Sequence, residues 1–381
     1  MSGDETEWIA EKTVSLGAAG FSQDAAVMNA AEEEEDLTGK ILCDKFELTA
    51  FLGSGGMSEV YKARHIVTGK IVAVKILHQK LAKEENTSKR LKQEAQAAGA
   101  LTHSSILSVH DFGVDSAGTP FLVMDFLDGV SLSDILKKEG PLPLDRFLTI
   151  IQQVASALAH AQQQNVVHRD LKPSNIMILK EGKDRAKIVD FGIAKLVDPN
   201  NEASQRLTQT GELFGSPLYM SPEQCTGAPV DPRSDIYALG CVMFEALSGK
   251  TPHMGETVFD TIHRHINSSP PPLIAAQLEP QVRDRLEGII LKCLAKNPAD
   301  RYQSAASIEA ELRKIELSEA SGIISRIGSA WSLAQAKYLA KRKNNVPLLV
   351  ISLFSVSALS VIASIILLFS LIDYNESVSI R

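Results

Sequence analysis

The chain has 381 residues, of which 44% are hydrophobic and 22% are charged, and its formal net charge is −7 at pH 7. This length is enough for one large domain or two ordinary domains with buried cores, and the hydrophobic content excludes a wholly disordered chain. The negative charge is concentrated at the start, because residues 1–38 carry ten acidic side chains against Lys12 alone. The remaining residues sum to +2, which excludes the basic footprint of a nucleic-acid-binding protein, so no nucleic-acid partner is expected.

Cysteine usage and the N-terminal sequence exclude two further classes. The four cysteines are widely separated and form no Cys-x-x-Cys pair, which predicts reduced, mostly buried thiols and neither a disulfide framework nor a zinc site. The start, MSGDETEWIAEK, lacks the basic-then-apolar pattern of a secretory signal. Residues 1–40, rich in Ala, Gly and Glu, are predicted to form a solvated, disordered leader.

A small antiparallel sheet is predicted over residues 45–124. The segments FELTAFLG, EVYKARH and KIVAVKIL are short, contain β-branched residues and are separated by glycine-containing turns, which is typical of strands joined by hairpins. The segment NTSKRLKQEAQAAGAL then has helical periodicity, and ILSVHDFGVDSAGTPFLVMDFL predicts a further pair of strands. This part of the chain therefore predicts a β-rich lobe with one helix.

Residues 130–315 predict a larger, mainly helical lobe. Helical patterns occur in SLSDILKK, RFLTIIQQVASALAHAQQQ, IYALGCVMFEALSG, VRDRLEGIILKCLA and SAASIEAELRKI. A two-stranded interlude, VVHRDLKPSNIMIL and AKIVDFG, interrupts them, and we expect Val166 and Val167 to form a buried strand within it. Two such lobes, joined near residues 125–129, predict an α+β chain.

The last part of the chain predicts a membrane anchor. Residues 346–372 contain no charged side chain over 27 positions, whereas a spanning helix needs roughly 20. A buried core helix is the alternative interpretation. The basic end of residues 316–345 predicts that the N-terminal bulk is cytoplasmic and that residues 373–381 form a short external tail. The juxtamembrane segment 316–345 could itself be an interfacial helix or a plain spacer helix.

A glycine-rich turn is the first candidate site. The sequence LGSGGMSEVYKA, residues 52–63, lies between two predicted strands, and its glycines would let backbone N–H groups approach an anionic phosphate. Tight hairpins use glycine for the same conformational freedom, so this turn alone is a weak signal. It is neither a dinucleotide-binding turn, which a helix would follow directly, nor a Walker A loop, which needs Gly-Lys-Ser/Thr.

Lys75 and Glu94 strengthen the phosphate interpretation. Alternation within IVAVK points Ala73 and Lys75 the same way, so the Lys75 ammonium could neutralise phosphate oxygens beside the turn. Glu94 lies on the following predicted helix and could hold that lysine in an ion pair. The alternative for Glu94 is a surface pair with Lys89 or Arg90 on the same helix.

The sequence VVHRDLKPSN is far more specific. It places Asp170, Lys172 and Asn175 within six residues of one predicted loop. An aspartate can accept or orient a hydroxyl proton, a lysine can offset charge on a transferring phosphoryl group, and an asparagine carbonyl is a hard ligand suited to Mg²⁺. Asp190, in IVDFG, supplies a second hard oxygen ligand at the end of another predicted strand.

These residues resemble the protein kinase family, and the sequences GGMSEVYKA and SDIYALG are similar to those of bacterial eukaryote-like (Hanks-type) Ser/Thr kinases. The resemblance covers residues 45–315. It implies a bilobal protein-kinase-like fold with a small β-rich lobe over 45–124 and a large helical lobe over 130–315, to which the sequence adds one C-terminal transmembrane helix. It also implies ATP and Mg²⁺ as cofactors, with Mn²⁺ as an alternative metal, and protein Ser/Thr hydroxyls as substrates.

The resemblance implies a role for each matching residue of the loops. Asp170 would be the catalytic base or hydroxyl-orienting group, and Lys172 would contact the γ-phosphate. Asn175 and Asp190 would bind the metal. Lys75 would hold the α- and β-phosphates and pair with the glutamate of the following helix, Glu94.

The resemblance implies an ATP site between the lobes. Val60 and Ala73 would contact adenine, Met124 would be the gatekeeper, and Asp125 with Leu127 would supply backbone hydrogen bonds in the hinge. The full implied set is Leu52, Gly53, Ser54, Gly55, Gly56, Met57, Ser58, Val60, Ala73, Lys75, Met124, Asp125 and Leu127.

Three departures from the family pattern keep the groups needed for phosphoryl transfer. The third glycine of Gly-x-Gly-x-x-Gly is Ser58, whose side chain is small but stiffens the turn. The usual Ala-Pro-Glu is Ser-Pro-Glu, and its Glu223 is expected to pair with Arg301. The usual Gly-Thr of the substrate-facing loop is Gly-Ser, and the hydroxyl of Ser216 can still bond to the catalytic aspartate and lysine.

Arg169 suggests how activity is regulated. It directly precedes Asp170, where an isolated buried guanidinium would be costly, so a phosphorylated loop residue could provide its partner. Thr208 and Thr210 in RLTQTGELFGS are the candidates, and solvated loop threonines are the alternative interpretation. We therefore expect activation by autophosphorylation of this loop.

Two functions remain open from the sequence. The first is an active Ser/Thr kinase tethered to a membrane, with its kinase domain cytoplasmic and protein substrates. The second is a pseudokinase that binds nucleotide or partners without transferring phosphate, although such chains usually lack one of the lysine, aspartate or metal-ligand groups that are all present here. A homodimer for trans-autophosphorylation is a further expected partner, and Ser360 and Ser364 have the small-xxx-small spacing that could pair two spanning helices.

Overall fold

The computed structural model describes residues 36–55, 58–78, 99–191, 217–318 and 332–333. Strands dominate the first part of these residues and helices dominate the second, so the predicted α+β chain with a small β-rich lobe and a larger helical lobe is confirmed. The strands are β1 (Ile41–Leu42), β2 (Phe46–Ser54), β3 (Ser58–His65), β4 (Ile71–Leu77), β5 (Val109–Val114), β6 (Pro120–Asp125), β7 (Gly129–Ser131), β8 (Ile176–Leu179) and β9 (Ala186–Ile188).

The first lobe is built on a six-stranded antiparallel sheet with the strand order β1-β2-β3-β4-β6-β5. Apolar side chains alternate along some of these strands and follow one another along others, as expected for a sheet that is covered on one face. That face buries a common core that includes Leu48, Tyr61, Val74 and Phe121. Leu37 packs against this core, and its N–H donates to the Tyr61 hydroxyl at 3.4 Å. The chain just before β1 is therefore attached to the sheet.

The second lobe is helical, and polar caps set several of its helix starts. The Ser131 hydroxyl accepts from the Asp134 N–H, the Asp231 carboxylate from the Arg233 N–H, and the Thr257 hydroxyl from the Asp260 N–H. The helices are α1 (Leu132–Glu139), α2 (Leu144–Gln163), α3 (Pro222–Thr226), α4 (Pro232–Ser248), α5 (Val258–Asn267), α6 (Pro280–Cys293) and α7 (305–318). Short 3₁₀ turns occur at Pro173–Asn175, Pro217–Tyr219 and Pro298–Asp300.

Helix α4 lies at the centre of the second lobe. It is apolar on every side, and nearly all of it is buried, as expected for a helix surrounded by others. Gly240 permits its close contact with α6, because a Cβ at that position would lie 2.8 Å from the Cys293 Cβ. Helix α2 presents the stripe Phe147, Ile151 and Val154 to the same core.

A small sheet with the order β7-β8-β9 supports the loops between the lobes. The first lobe's sheet ends at Asp125 and β7 begins at Gly129, so residues 126–128 connect the two sheets at this point of the chain. A second connection lies just before β5, where the Leu107 N–H donates to the Ile188 carbonyl on β9 at 3.0 Å. Gly129 has no room for a side chain, because a Cβ there would clash with the carbonyl oxygen of Ile178 on β8.

One predicted strand is wrong. Val166 and Val167 are half-buried and lie in an irregular segment outside any strand. After α2 ends, Asn165 adopts a left-handed φ of 57°, and the Val166 N–H donates to the Ala161 carbonyl at 2.9 Å. The backbone hydrogen bonds of this segment therefore go back to the helix end instead of to a neighbouring strand.

Residues 1–35 of the predicted leader, the predicted helix bearing Glu94 and the apolar span 346–372 lie outside the described residues. The end of the leader prediction is wrong, because Leu37 packs against the first lobe's core. Within the part of the chain that the structure does describe, no helix combines the length and the apolar character needed to cross a membrane. None of the four cysteines, all of which are among the described residues, forms a disulfide; Cys241 and Cys293 are buried and Cys43 is exposed.

Candidate active site

Asp170 is contacted by both of the other groups predicted for its loop. The Lys172 ammonium lies 2.8 Å from Asp170 Oδ2. The Asn175 Nδ2 donates to the Asp170 carbonyl oxygen at 2.8 Å and to Oδ2 at 3.3 Å. The 3₁₀ turn Pro173–Asn175 makes this possible, because it brings Asn175 back toward the aspartate before β8 begins. The structure thus brings the three side chains together.

A buried carboxylate on α4 holds the start of the loop. Asp235 is 5% exposed, and its two oxygens accept from the His168 N–H at 2.7 Å and the Arg169 N–H at 2.8 Å. Burial raises the pKa of Asp235, and the nearby His168, these two N–H groups and Arg169 offset that rise only in part. Sequence analysis missed this residue, because it stands directly before the apolar run IYALGCVMF, in the first turn of α4, where an acid is an ordinary feature of a helix.

His168 connects the loop to the segment that carries Asp190. Its Nε2 lies 3.0 Å from the Val189 carbonyl oxygen, and its Nδ1 lies 3.3 Å from the Asp170 nitrogen. Because a carbonyl can only accept a hydrogen bond and an N–H can only donate one, this geometry matches a ring that donates through Nε2 and accepts at Nδ1. The ring also packs edge-on against Phe191, with a centroid separation of 4.6 Å. Sequence analysis did not single out His168.

Asp190 and Asn175 come from adjacent segments. The Val189 N–H donates to the Asn175 carbonyl at 2.9 Å, and Ile176 on β8 pairs with Ile188 on β9. Asp190 follows directly with a left-handed φ of 58°. Since the Nδ2 of Asn175 already bonds to Asp170, its Oδ1 is the atom that remains for a metal.

The two lobes meet through an ion pair between two predicted site residues. Lys75 on β4 donates to Asp190 Oδ1 at 2.6 Å. Removal from bulk water raises the pKa of Asp190, but the positive charge of Lys75 and its hydrogen bond outweigh this, so the net pKa lies below the ordinary 3.8. Glu94, the predicted partner of Lys75, lies outside the described residues.

Four of the predicted ATP-binding residues belong to one small apolar cluster. Ala73 and Met124 are buried together, and Val60 and Leu127 pack against them. This cluster is separate from the cores of both lobes. Sequence analysis missed its other two members, Leu107 and Val189, because single apolar residues in loops carry no pattern.

The glycine-rich turn is a hairpin between β2 and β3. The Gly55 N–H donates to the Ser58 carbonyl at 2.8 Å, and Ser58, the departure from glycine, is buried at the start of β3. Leu52, Gly53 and Ser54 form the end of β2. Gly56 and Met57 lie outside the described residues.

The hinge residue Asp125 uses both its backbone and its side chain. Its N–H donates to the Ser108 carbonyl at 3.0 Å. Its carboxylate lies 2.6 Å from His110 Nε2 and 3.7 Å from the Lys70 ammonium. Burial raises the pKa of Asp125, but the hydrogen bond with His110 and the nearby cations lower it by more. The pKa of Asp125 therefore lies below its ordinary value of 3.8.

The expected ion pair between Glu223 and Arg301 is present. The guanidinium donates to both carboxylate oxygens, at 2.7 and 2.8 Å, and the Ser234 hydroxyl donates to Oε1 at 2.6 Å. Arg169, expected to be buried, is half-buried. The remaining regulatory candidates, Thr208, Thr210 and Ser216, lie outside the described residues.

Comparison with known proteins agrees with this arrangement. The family model described as "Protein kinase domain" matches residues 46–311. The chain is 37% identical over 286 residues to "Serine/threonine-protein kinase pkn3" of Myxococcus xanthus, with 74% of this chain and 52% of that protein covered. It is 40% identical over 287 residues to "Serine/threonine-protein kinase PknB" of Mycolicibacterium smegmatis, with 74% and 45% covered. The chain therefore spans about half the length of these relatives.

A solved structure is also similar. The crystal structure of the Mycobacterium tuberculosis PknI kinase domain superposes with a TM-score of 0.56 at 28% sequence identity. The match covers 73% of this chain and 98% of that domain.

Proposed function

This chain belongs to the protein kinase domain family, and on that premise we propose that it transfers the γ-phosphate of ATP to Ser and Thr hydroxyls of proteins. The observation that carries the proposal is the contact of Asp170 with both Lys172 and Asn175 on one loop. The names of the bacterial relatives, both Ser/Thr protein kinases, support the preference for Ser and Thr. The sequence HRDLKPSN, with Lys172 two residues after Asp170, supports it too.

The loop provides what phosphoryl transfer needs from a protein, which is positioning and charge compensation. Asp170 would accept a hydrogen bond from the attacking hydroxyl and orient its oxygen toward the phosphorus. Lys172, whose ammonium already contacts the Asp170 carboxylate, would offset the negative charge of the γ-phosphoryl oxygens. Lys75, at the other side of the cleft, would neutralise the α- and β-phosphates.

The apolar cluster is suited to a flat heteroaromatic ring. Val60 and Ala73 would cover adenine from the first lobe, Met124 would limit the depth of the pocket, and Leu127 would close its outer side. Contacts of this kind give binding without charge, and the hinge backbone at Asp125 and Leu127 would supply the orienting hydrogen bonds.

The donor set fits Mg²⁺. Asn175 offers an amide oxygen and Asp190 a carboxylate, both hard ligands, and Mg²⁺ keeps water and substrate phosphates in its other positions. Among the described residues, no group of three or more His, Cys, Asp or Glu side chains could hold a metal alone. When bound, the metal would shield phosphate charge; Mn²⁺ would fit the same ligands.

The test is phosphate transfer by the purified full-length chain with labelled ATP and Mg²⁺. We expect the protein to label itself and a Ser/Thr-containing acceptor protein, and Asp170→Asn to reduce both below detection while nucleotide binding persists. Nucleotide binding without any transfer by the unmodified chain would instead identify a pseudokinase and refute the proposal.

We also propose that the loop containing Thr208 and Thr210 is autophosphorylated between two copies of the chain. A phosphate on this loop would provide an anionic partner for Arg169, the cation that directly precedes Asp170. Phosphosite mapping after ATP incubation tests this, with a phosphatase-treated sample as the control. We expect Thr208→Ala combined with Thr210→Ala to lower activity severalfold, and full activity in that double variant would refute it.

Membrane attachment through residues 346–372 is the last part of the proposal, with the kinase domain on the cytoplasmic side. It rests on the 27 uncharged positions and the basic residues before them. Fractionation of cells should recover the full-length chain with membranes after an alkaline wash, and a chain ending at residue 345 in the supernatant. Recovery of both in the same fraction would refute the anchor.

A further inference from the structure

Gln224, on the short helix α3, contacts the catalytic loop directly. Its Nε2 donates to the Arg169 carbonyl oxygen at 2.8 Å, across 55 residues of sequence. Its Oε1 accepts from the Ser221 N–H at 3.1 Å, so one side chain joins the cap of α3 to the residue before Asp170.

The chemistry of these two partners requires an amide. A backbone carbonyl can only accept a hydrogen bond and a backbone N–H can only donate one, so the group between them must offer one donor and one acceptor. Glutamine does so. An ionised glutamate of the same size offers only acceptors, and methionine, of similar volume, offers no comparable donor or acceptor.

The contact acts on a peptide that already has an uncommon conformation. Arg169 has a φ of 65°, in the left-handed region that residues other than glycine seldom adopt. Its N–H side is held by Asp235 on α4 at 2.8 Å. Its carbonyl side is held by Gln224, so that two different helices fix the two ends of the residue.

We propose that Gln224 is a positioning residue that sets the orientation of Asp170, a role that rests on the proposed kinase function. The carbonyl of Arg169 and the N–H of Asp170 belong to one planar peptide group, so fixing the carbonyl also fixes the N–H. That N–H is directed at His168 Nδ1, 3.3 Å away. Loss of the Gln224 donor frees this peptide to rotate, and the Asp170 carboxylate then leaves the geometry that aligns the hydroxyl.

The first test compares Gln224→Glu and Gln224→Met with the control Gln281→Glu in the full-length chain. Gln281 is exposed in the first turn of α6, so its substitution adds the same charge to the same lobe away from the loop. We expect kcat to fall about tenfold in both Gln224 variants, with KM for ATP within about twofold of the wild type. A kcat within about twofold of the wild type in both would overturn the proposal.

Hydrogen exchange provides a second readout that does not depend on activity. We expect the backbone amides of residues 168–172 to exchange faster in Gln224→Glu and Gln224→Met than in the wild type. The amides of helices α4 and α6 should be as protected as in the wild type. Unchanged exchange in this loop would overturn the role of Gln224. If the wild-type chain transfers no phosphate but exchange is faster in the variants, the kinase function is refuted, whereas the role of Gln224 in holding the Arg169 peptide stands.

Discussion

Lys75 donates a 2.6 Å hydrogen bond to Asp190, and this bond joins a strand of the first lobe to the loop after β9 in the second. Both groups are the proposed partners of a nucleotide, Lys75 for its phosphates and Asp190 for its metal. Before nucleotide binds, each charge therefore neutralises the other. Nucleotide binding would break this ion pair and give Lys75 the phosphates and Asp190 the metal as new partners.

The first prediction concerns Lys75→Met. Because the phosphates lose a preorganised cation and Asp190 loses its partner, we expect kcat/KM for ATP to fall about 100-fold or more. Steady-state phosphate transfer measures this. Lys45→Met, which removes an exposed lysine from the turn before β2, is the matched control and should leave kcat/KM within about twofold of the wild type.

The second prediction concerns the metal. In Asn175→Ala the amide oxygen is lost and Asp190 becomes the sole protein ligand proposed for the metal, so more Mg²⁺ should be needed for half-maximal activity. We expect this concentration to rise about tenfold or more, in line with the loss of one ligand. A titration of Mg²⁺ at saturating ATP tests it, and an unchanged midpoint would contradict the assignment of Asn175. EDTA should abolish activity in the wild type.

The third prediction concerns stability at Arg301. Its side chain is fully buried and donates two hydrogen bonds to the Glu223 carboxylate. Arg301→Met leaves that carboxylate buried without its cation, which should lower the free energy of unfolding by about 3 to 5 kcal/mol. Urea unfolding measures the difference. The control is Arg313→Met, which removes an exposed guanidinium that pairs with Glu309. It should change the free energy of unfolding by less than about 1 kcal/mol.

The fourth prediction concerns acid. Burial raises the pKa of Glu223, but the hydrogen bonds from Arg301 and Ser234 lower it more, so the folded chain holds this pKa below the ordinary 4.5. The ionised group therefore stabilises the fold above that pH, and the contribution disappears as the pH falls through the lower folded value. A glutamine at this position cannot titrate. In Glu223→Gln the urea concentration at the unfolding midpoint should therefore fall less between about pH 5 and pH 3 than it does in the wild type. Equal pH dependence of the two proteins would show that another group dominates.

Much of the fold could be predicted because its signals are local. Alternating apolar residues and glycine turns predicted the strands of the first lobe, and 3.6-residue periodicity predicted helices α1, α2, α4 and α6 close to their observed bounds. The Val166–Val167 segment was assigned wrongly for the same reason. Two adjacent β-branched residues suggest a strand, whereas the hydrogen bonds that decide the matter go back to the end of α2.

The site could be predicted only where a side chain carries the chemistry itself. Asp170, Lys172 and Asn175 stand in one short sequence, and their contact could be expected. Asp235 and Gln224 bond to the backbone of that loop from 55 or more residues away, and nothing in their local sequence identifies these partners. Leu107 and Val189 become neighbours of Ala73 and Met124, which we propose to lie beside adenine, only through the tertiary fold.

Gly129 sets a limit on how the cleft can move. Since no Cβ fits beside Ile178, the start of β7 is fixed to β8, and the first lobe's sheet holds the chain up to Asp125. The chain also crosses between the lobes just before β5, where Leu107 still bonds to Ile188 on β9 and Val109 already belongs to the first lobe's sheet. Any closing of the two lobes must then be absorbed by these two short crossings, residues 126–128 and Ser108, in which each residue offers two soft torsion angles. A rotation shared by so few torsion angles follows a nearly fixed axis, and each residue added to either crossing would widen the range of orientations that the lobes can adopt.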